Sequence, residues 1–386
     1  MLLKNSEKTL PLLKSEHLAV IGPNNNLSHA IATYYGGSEP CNGFTNMVDA
    51  VAQHAASTTQ ALGCQSVTSA PDAKMLAAAV ALARAADKVV MTVGQDGTIE
   101  HEGHDRTSIS LTPCQEQLVA AVADAAKTPI TVVILTGGAI DTAAMLKNDK
   151  VGAVIHAGQP SVTVLGVGDL IFGDEVPAGR MIQTIYPGDY INEVSIFDMN
   201  MRPGPSAWPI PNHSPKTLGT NPGRTHRFYT GTPTHVFGFG LSYTTFKYTL
   251  AEAPTVVDIS PLRTLLASDT TRTFFKKDPT HPLVSYSVNV TNTGAIDADD
   301  VVLGFLTPPG AGKNGVELQT LFGFQRVHVK AGETVTVWLA AEAQAFSTVN
   351  AEGTRVALPG TWGVHFGVES TAPHGMGFVE HETMLV

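Results

Sequence analysis

Hydrophobic and polar positions follow two different patterns along the chain. Before about residue 190, short apolar runs such as Ile130–Leu135 alternate with longer segments of helical spacing. Continuous apolar runs are typical of parallel strands that helices cover on both faces. The alternation of such strands with helices predicts a layered α/β sandwich with a mostly parallel sheet.

The elements predicted for this region are spaced as in strand–helix–strand units. Strands are predicted at His17–Gly22, Lys88–Val93, Ile130–Leu135, Val151–Ile155 and Met181–Ile185. Helices are predicted at Asp72–Ala86, from Thr112 onward, and at Ser161–Phe172. Thr112 is followed by Pro113 and Gln115, which predicts a capping box at the start of the second helix.

The rest of the chain has a different texture and predicts two further regions. Residues 191–282 are rich in proline and aromatic residues and have few periodic segments, so we interpret them as a connector. Apolar and polar residues alternate in Val284–Val290, as in a half-buried antiparallel strand. Similar runs follow, and they predict an all-β sandwich over residues 283–386, after an α/β domain over residues 1–190.

Composition and charge exclude several functions. The chain has 386 residues with 24 basic and 34 acidic side chains, a net charge of −10. Such a field repels nucleic acids and anionic membranes, so we expect neither as a partner. No apolar run approaches the roughly 18 residues that span a bilayer, and no secretory signal is visible at the N-terminus.

Three cysteines allow one disulfide at most. Cys114 is interpreted as a small core residue, whereas Cys41 and Cys64 could pair in a secreted chain. The cysteines form no CxxC motif, and we expect no metal site and no cofactor.

The strongest chemical signal is the charged loop that follows the predicted strand at Lys88–Val93. Between Asp96 and Arg106 the loop holds six acidic or imidazole groups and one arginine. Crowded carboxylates favour a protonated group among them, which a general acid requires. A solvated surface loop explains the same composition, and composition alone favours that interpretation. A metal site is a weaker one, because His101 and His104 lie on a loop without an evident outlying ligand.

A resemblance to a known family changes this balance. The loop is similar to the motif G-x-D-x-[ST]-x-E-x-E-G-x-D-R of glycoside hydrolase family 3, in its β-xylosidase branch. The matching residues are Gly94, Asp96, Thr98, Glu100, Glu102, Gly103, Asp105 and Arg106. Further segments resemble the family in the same order along the chain, and they include Leu2–Asn5, Gly137–Asp141, Pro177–Arg180, Met199–Pro203, Gly223–Tyr229, Phe237–Tyr243 and Leu321–Val327.

The resemblance implies an α/β sandwich domain followed by a fibronectin III-like domain. In the family, a (β/α)8 barrel precedes these domains and carries the nucleophile, an Asp in a Ser-Asp motif. Here the matching begins at the second domain, and the only Ser-Asp pair, Ser268-Asp269, lacks that context. We therefore expect the C-terminal part of an exo-acting retaining β-glycosidase, most like a β-D-xylosidase that removes terminal xylosyl residues in xylan breakdown. Its expected partners are a β-linked oligosaccharide and a barrel in the same or another chain.

The resemblance also assigns roles to the loop. Retaining glycosidases use a nucleophile and a general acid/base, and this chain is expected to supply the second. Glu102 is the first choice for the acid/base and Glu100 the second. Arg106 is expected to hold Asp105 or the acid loop through a bidentate pair, and Asp96, Asp105 and Arg106 are expected to bind substrate or support the loop.

A second hypothesis belongs to another class. The chain could be a stand-alone, non-catalytic carbohydrate-binding or docking protein derived from the family. An exposed apolar face suited to a barrel would favour the enzyme over this alternative. The family resemblance further implies an extracellular location.

Overall fold

The structure is a computed structural model that describes residues 1–27, 45–160, 164–210, 216–267, 283–350, 352–369 and 376–386. Cys41 and the Ser268-Asp269 pair lie outside the described residues. The chain forms two compact units, residues 1–177 with 185–191 and residues 178–184 with 192–386. No helix in the described part of the chain is long and apolar enough to cross a membrane.

The first unit is built on a six-stranded sheet in the order β1-β6-β5-β4-β2-β3. Its strands are β1 (Leu2–Asn5), β2 (His17–Ile21), β3 (Ser57–Ala61), β4 (Lys88–Gly94), β5 (Ile130–Leu135) and β6 (Val151–Gly158). The helices are α1 (Met47–Ala52), α2 (Ala73–Ala85), α3 (Pro113–Ala125), α4 (Ala143–Lys147) and α5 (Leu165–Phe172). Only β1, paired with β6, is antiparallel.

The central strands confirm the predicted α/β class. Every residue of β5 is buried, and both of its neighbours, β4 and β6, run parallel to it. The chain places β3 on one side of β2 and β4 on the other, so the strand order reverses between β2 and β4. In open parallel sheets, ligands bind beyond the carboxyl ends of the strands at such a reversal.

Two local predictions for this region are wrong. Met181–Ile185 is not a strand, because the backbone of Met181 exchanges hydrogen bonds with the loop residues Gly238 and Phe239. Thr112 precedes helix α3, but its hydroxyl donates to the Val67 carbonyl oxygen at 2.6 Å and does not cap the helix.

The disulfide differs from the pairing suggested by the sequence. Cys64 and Cys114 are bonded, with Cα atoms 6.1 Å apart. Cys114 lies in the first turn of α3, and both cysteines are buried in the first unit. The sequence left a Cys41–Cys64 pair open and interpreted Cys114 as a small core residue. Cys114 is buried but bonded to Cys64, because the fold brings α3 against the segment that follows β3.

The second unit confirms the predicted fibronectin III-like sandwich. One sheet has the order β10-β18-β17-β12-β13 and the other the order β14-β11-β9, with two small hairpins, β7-β8 and β15-β16. The strands are β7 (Gly204–Pro209), β8 (Leu218–Asn221), β9 (Phe246–Glu252), β10 (Val256–Val257), β11 (Val284–Asn292), β12 (Ala298–Thr307), β13 (Thr320–Val329), β14 (Thr334–Ala341), β15 (Ser347–Val349), β16 (Arg355–Ala357), β17 (Gly360–Gly367) and β18 (Phe378–Leu385). Its helices are α6 (Thr225–Phe228) and α7 (Ser260–Ala267).

Residues of the predicted connector take part in this second unit. Strand β9, at Phe246–Glu252, pairs antiparallel with β11. From this strand Tyr248 donates a hydrogen bond of 2.7 Å to Asp300, which also pairs with Arg180. Asp300 is buried, so the arginine and the phenol together replace the water that its carboxylate would otherwise bind.

Candidate active site

The charged loop starts at the end of β4, at the reversal of strand order. Gly94 has φ +140°, and a Cβ atom there would lie 2.0 Å from the carbonyl oxygen of Leu135. Glycine is therefore required for the close approach of β4 and β5. The Gln115 side chain accepts from the Gly94 N–H at 2.8 Å and donates to its carbonyl oxygen at 3.0 Å. Gln115 thus fixes the point where the loop leaves the sheet.

A buried glutamine holds the arginine of the loop. The Oε1 atom of Gln95 accepts from the Thr136 hydroxyl at 2.8 Å and from Arg106 Nη1 at 3.3 Å. Arg106 Nη1 also donates to the carbonyl oxygen of Ala139 at 2.7 Å. At Gly138 a Cβ atom would lie 2.3 Å from Arg106 Nη2, so the glycine makes room for the guanidinium.

Glu100 is the carboxylate that this arrangement positions. Its Oε2 atom lies 3.3 Å from Arg106 Nε, and the side chain is only 25% exposed. Arg106 was expected to hold Asp105 or the acid loop, and the ion pair with Glu100 corresponds to the second alternative. Asp105 is exposed, whereas Arg106 is anchored on the β4 and β5 ends and meets Glu100.

Asp96 shapes the first turn of the loop. Its Oδ1 atom accepts from the backbone N–H of Thr98 at 2.8 Å and from the Thr98 hydroxyl at 2.5 Å. Its carbonyl oxygen accepts from the Glu100 N–H at 3.3 Å. Asp96 therefore supports the turn that delivers Glu100.

Glu102 lies at the tip of a tight turn. The backbones of His101 and His104 exchange hydrogen bonds of 3.1 and 2.9 Å, and their rings stack at 5.2 Å. Glu102 and Gly103 occupy the turn between them, with Gly103 at φ +80° and the Glu102 side chain exposed. The two candidate carboxylates thus differ, one held in an ion pair and the other displayed at a turn.

Sequence reasoning missed Gln95 and Thr136. Both are buried, at the carboxyl ends of β4 and β5, and both determine where Arg106 lies. The available signal was position, since each residue directly follows a predicted strand of a parallel sheet.

A buried histidine also ends a strand at this edge of the sheet. His156 lies near the end of β6, and burial lowers its pKa to about 4, with a smaller contribution from the amino group of Met1. The imidazole is therefore uncharged at neutral pH.

One group of side chains in the described part of the first unit has metal-ligand chemistry. His54 lies 3.2 Å from Asp169 and 3.1 Å from Asp174, one carboxylate at each ring nitrogen. Lys14 pairs with Asp174 at 2.7 Å. With Lys14 already on Asp174 and the two ring nitrogens facing different carboxylates, these contacts describe a polar cluster that holds the segment after α1 against α5 and the residues that follow it.

Two known family models match this combination of a parallel-sheet domain and a β-sandwich. The family described as "Glycosyl hydrolase family 3 C-terminal domain" matches residues 1–243, and "Fibronectin type III-like domain" matches residues 300–370. The chain belongs to glycosyl hydrolase family 3.

Similar curated proteins are β-xylosidases. The chain is 35% identical over 355 residues to β-D-xylosidase 1 of Arabidopsis thaliana, covering 87% of this chain and 43% of that protein. It is 33% identical over 365 residues to exo-1,4-β-xylosidase bxlB of Emericella nidulans, covering 94% of this chain and 44% of that protein. The chain thus spans less than half the length of these relatives.

Solved structures share the fold over the whole chain. A family 3 exo-β-xylosidase, XlnD, in complex with a xylobiose aziridine probe matches with a TM-score of 0.82 and 27% identity, over 100% of this chain and 47% of that one. A β-glucosidase from Listeria innocua matches with a TM-score of 0.73 at 19% identity, over 100% of this chain and 48% of that one, which shows the fold alone.

Proposed function

We propose that this chain is the C-terminal half of an exo-acting retaining β-glycosidase, most like a β-D-xylosidase. In this proposal a barrel, in the same or another polypeptide, carries the nucleophile and the sugar subsite. The present chain supplies the general acid/base to a terminal xylosyl residue of a β-linked oligosaccharide, as in xylan breakdown. The observation that carries the proposal is the fixed Glu100–Arg106–Gln95 arrangement at the reversal of strand order.

Within the loop we propose Glu100 as the acid/base, ahead of Glu102. A general acid must reach the glycosidic oxygen within hydrogen-bond distance and be held there. Glu100 is partly buried and held by Arg106, which is itself anchored on Gln95 and Ala139. Glu102 is exposed at the tip of its turn. This order reverses the one that the motif suggests, and it makes Arg106 a positioning residue.

The chemistry divides between the two carboxyl groups of a retaining enzyme. In the first step the nucleophile bonds to the anomeric carbon, while the acid gives its proton to the departing oxygen. In the second step the carboxylate that the acid has become takes a proton from water. The water oxygen bonds to the anomeric carbon while the bond from that carbon to the nucleophile breaks, which releases the sugar. In this division the present chain supplies the acid/base, and the barrel supplies the nucleophile.

The disulfide supports a secreted enzyme. Disulfides persist in oxidising compartments, and Cys64–Cys114 is buried in the first unit. We propose an extracellular location on this ground.

The test is activity on an aryl β-xyloside when the chain is fused behind the N-terminal segment of a family β-xylosidase. The fused protein should hydrolyse the substrate, and the chain alone should not exceed its Glu100→Gln variant. Glu100→Ala should lower turnover of the fused protein at least about 100-fold, and azide should restore part of it by attacking the glycosyl intermediate.

Glu102→Ala is the matched control, since it removes the same group two residues away. If Glu102→Ala is inactive and rescued by azide while Glu100→Ala stays active, the acid/base is Glu102. If both variants keep full activity, this loop does not carry the acid/base and the proposal fails.

A further inference from the structure

The second unit displays a cluster of large apolar side chains to solvent. Its members, which we call the 196–218 cluster, are Ile196, Phe197, Met199, Trp208 and Leu218. Met199 is 83% exposed, Leu218 63%, Phe197 62% and Trp208 49%. The rings of Phe197 and Trp208 lie 5.8 Å apart. Soluble proteins expose such side chains singly, and a group of them marks a contact surface.

The loop that carries the cluster is held by buried polar groups. Arg224 donates to the Asp198 carbonyl oxygen at 2.7 Å, and the Asp198 carboxylate accepts from the Asn200 N–H at 2.9 Å. Asn221 donates to the Asn200 carbonyl oxygen at 2.8 Å. Asp198 and Asn221 are each 1% exposed. The apolar side chains are therefore presented on a fixed backbone, which lowers the entropy cost of binding.

The β7-β8 hairpin adds to the same surface. Leu218 begins β8 opposite Pro209, the residue after Trp208. A cleft of about 270 Å³ is lined by residues that are close to the cluster in sequence, including Asn200, Met201, Arg202, Pro203 and Asn221. The surface thus offers both protruding side chains and a recess.

We propose that the 196–218 cluster is the docking surface for the nucleophile-bearing barrel. This inference rests on the proposed function. The relatives are more than twice as long as the region that this chain matches, so most of their length is available as a partner. The cluster also lies within residues 1–243, the part that the family shares.

The net charge of the chain and the distribution of its exposed apolar side chains favour the barrel as the partner. The net charge of −10 opposes docking on an anionic membrane. In the described part of the first unit, Leu13 is the only large apolar side chain of comparable exposure. A second copy of the chain is the remaining alternative, and the experiment separates it from the barrel.

The test measures docking without turnover. The chain carries Glu100→Gln and Glu102→Gln, which remove both candidate acid/base groups. It also carries Trp338→Phe, which leaves Trp208 as the chain's accessible fluorophore because Trp362 is buried. It is mixed with the N-terminal segment of β-D-xylosidase 1 of Arabidopsis thaliana that precedes the matched region. That relative's own C-terminal half is the positive control. We expect a 1:1 complex in sedimentation velocity, with Trp208 protected from acrylamide.

Matched variants assign the surface. Phe197→Ser with Leu218→Ser should raise the dissociation constant at least about tenfold. Phe324→Ser, which removes an exposed aromatic ring elsewhere in the second unit, should leave it unchanged. Both substitutions are on the surface, and folding is checked by circular dichroism.

The other outcomes distinguish a failure of the docking surface from a failure of the proposed function. If the positive control assembles while this chain does not, or if Trp208 stays accessible in the complex, the cluster is not the docking surface. Self-association that Phe197→Ser with Leu218→Ser abolishes would assign the cluster to a second copy. If a fused protein is active while Trp208 stays accessible, the docking surface is refuted and the proposed function stands. If Trp208 is protected in the complex without the glutamine substitutions, but that complex has no xylosidase activity, the proposed function is refuted and the docking surface stands.

Discussion

In the first unit, buried polar side chains converge on a charged loop, whereas in the second they hold a loop that exposes apolar side chains. Gln95 and Thr136 fix Arg106 and through it Glu100. Asp198 and Asn221 fix the backbone that carries Phe197 and Met199. The same device, a hydrogen-bonded anchor under a surface loop, thus presents a carboxylate in one unit and a hydrophobic surface in the other. A rigidly held loop is therefore not in itself an active site. The chemistry of the side chains that the loop exposes decides what the loop can do.

The two units also differ in how they are stabilised. The first contains the Cys64–Cys114 disulfide, and the second contains no cysteine in its sequence. The second instead buries an ion pair, Arg180 with Asp300, beneath β9. The units should therefore respond to different perturbations.

Loss of the disulfide should have the largest effect, and it should be confined to the first unit. The bond joins residues 50 apart in sequence, and a loop of that length stabilises a fold by about 4 kcal/mol through the unfolded chain. We expect Cys64→Ala with Cys114→Ala to lower the free energy of unfolding of the first unit by that amount. Urea titration with hydrogen exchange, read peptide by peptide, measures each unit.

A matched variant controls for thiol chemistry in that experiment. Cys41→Ser is introduced into the disulfide-bonded protein and into its Cys64→Ala, Cys114→Ala variant. It removes the third thiol, which could otherwise exchange with the disulfide. The protection of β11 in the second unit should stay unchanged. An equal loss of protection in both units would show that they unfold together and that the disulfide does not stabilise the first unit alone.

The buried ion pair should have the next largest effect, and it belongs to the second unit. Burial, with Asp300 beside it, raises the pKa of Tyr248 well above its usual value, so the phenol stays protonated and donates. Asp300→Asn leaves the Arg180 guanidinium without its counter-charge, which costs about 3 kcal/mol in a buried site. Chemical denaturation of the second unit measures this loss.

The neighbouring residue provides the control. Asp299 pairs with Arg326 and His328, whose side chains are largely exposed. Asp299→Asn should therefore change the free energy of unfolding by less than about 1 kcal/mol. If the two variants lose equal stability, the Asp300 pair contributes no more than a surface pair.

Much of the fold was predictable from local pattern. The continuous apolar run Ile130–Leu135 is strand β5 with those bounds, and it is buried between parallel neighbours, as the pattern predicts. The start of the charged loop follows from the end of β4. These features depend on residues close together in sequence, whose periodicity reports their burial directly.

Partner choice could not be predicted in the same way. Asp105 is next to Arg106 in sequence, yet the arginine meets Glu100, because Gly138 leaves room for it beside the end of β5. Cys64 pairs with Cys114 and not with Cys41, because α3 packs where β3 ends. Gln115 binds the end of β4, although its position predicted a helix cap. In each case the partner is chosen by a contact between distant segments.

A third expected effect is a pH dependence of the second unit that two histidines carry. Burial lowers the pKa of His226 and of His365 to about 4, with Arg227 adding to the effect at His226. Both rings pack against Phe305, with centroids 6.1 and 4.9 Å from it.

The sign of that dependence follows from proton binding. In the unfolded chain the two histidines return to their ordinary pKa near 6.5, so between pH 6.5 and 4 the unfolded state binds more protons than the folded state. The free energy of unfolding should therefore be highest above pH 6.5 and fall as the pH is lowered toward 4. His365→Phe should reduce this fall, because it removes one of the two protons taken up on unfolding. Urea midpoints of the second unit at pH 7, 6 and 5 measure the slope, with the exposed His328→Gln as control. A slope that His328→Gln reduces as much as His365→Phe would show that burial near Phe305 is not its cause.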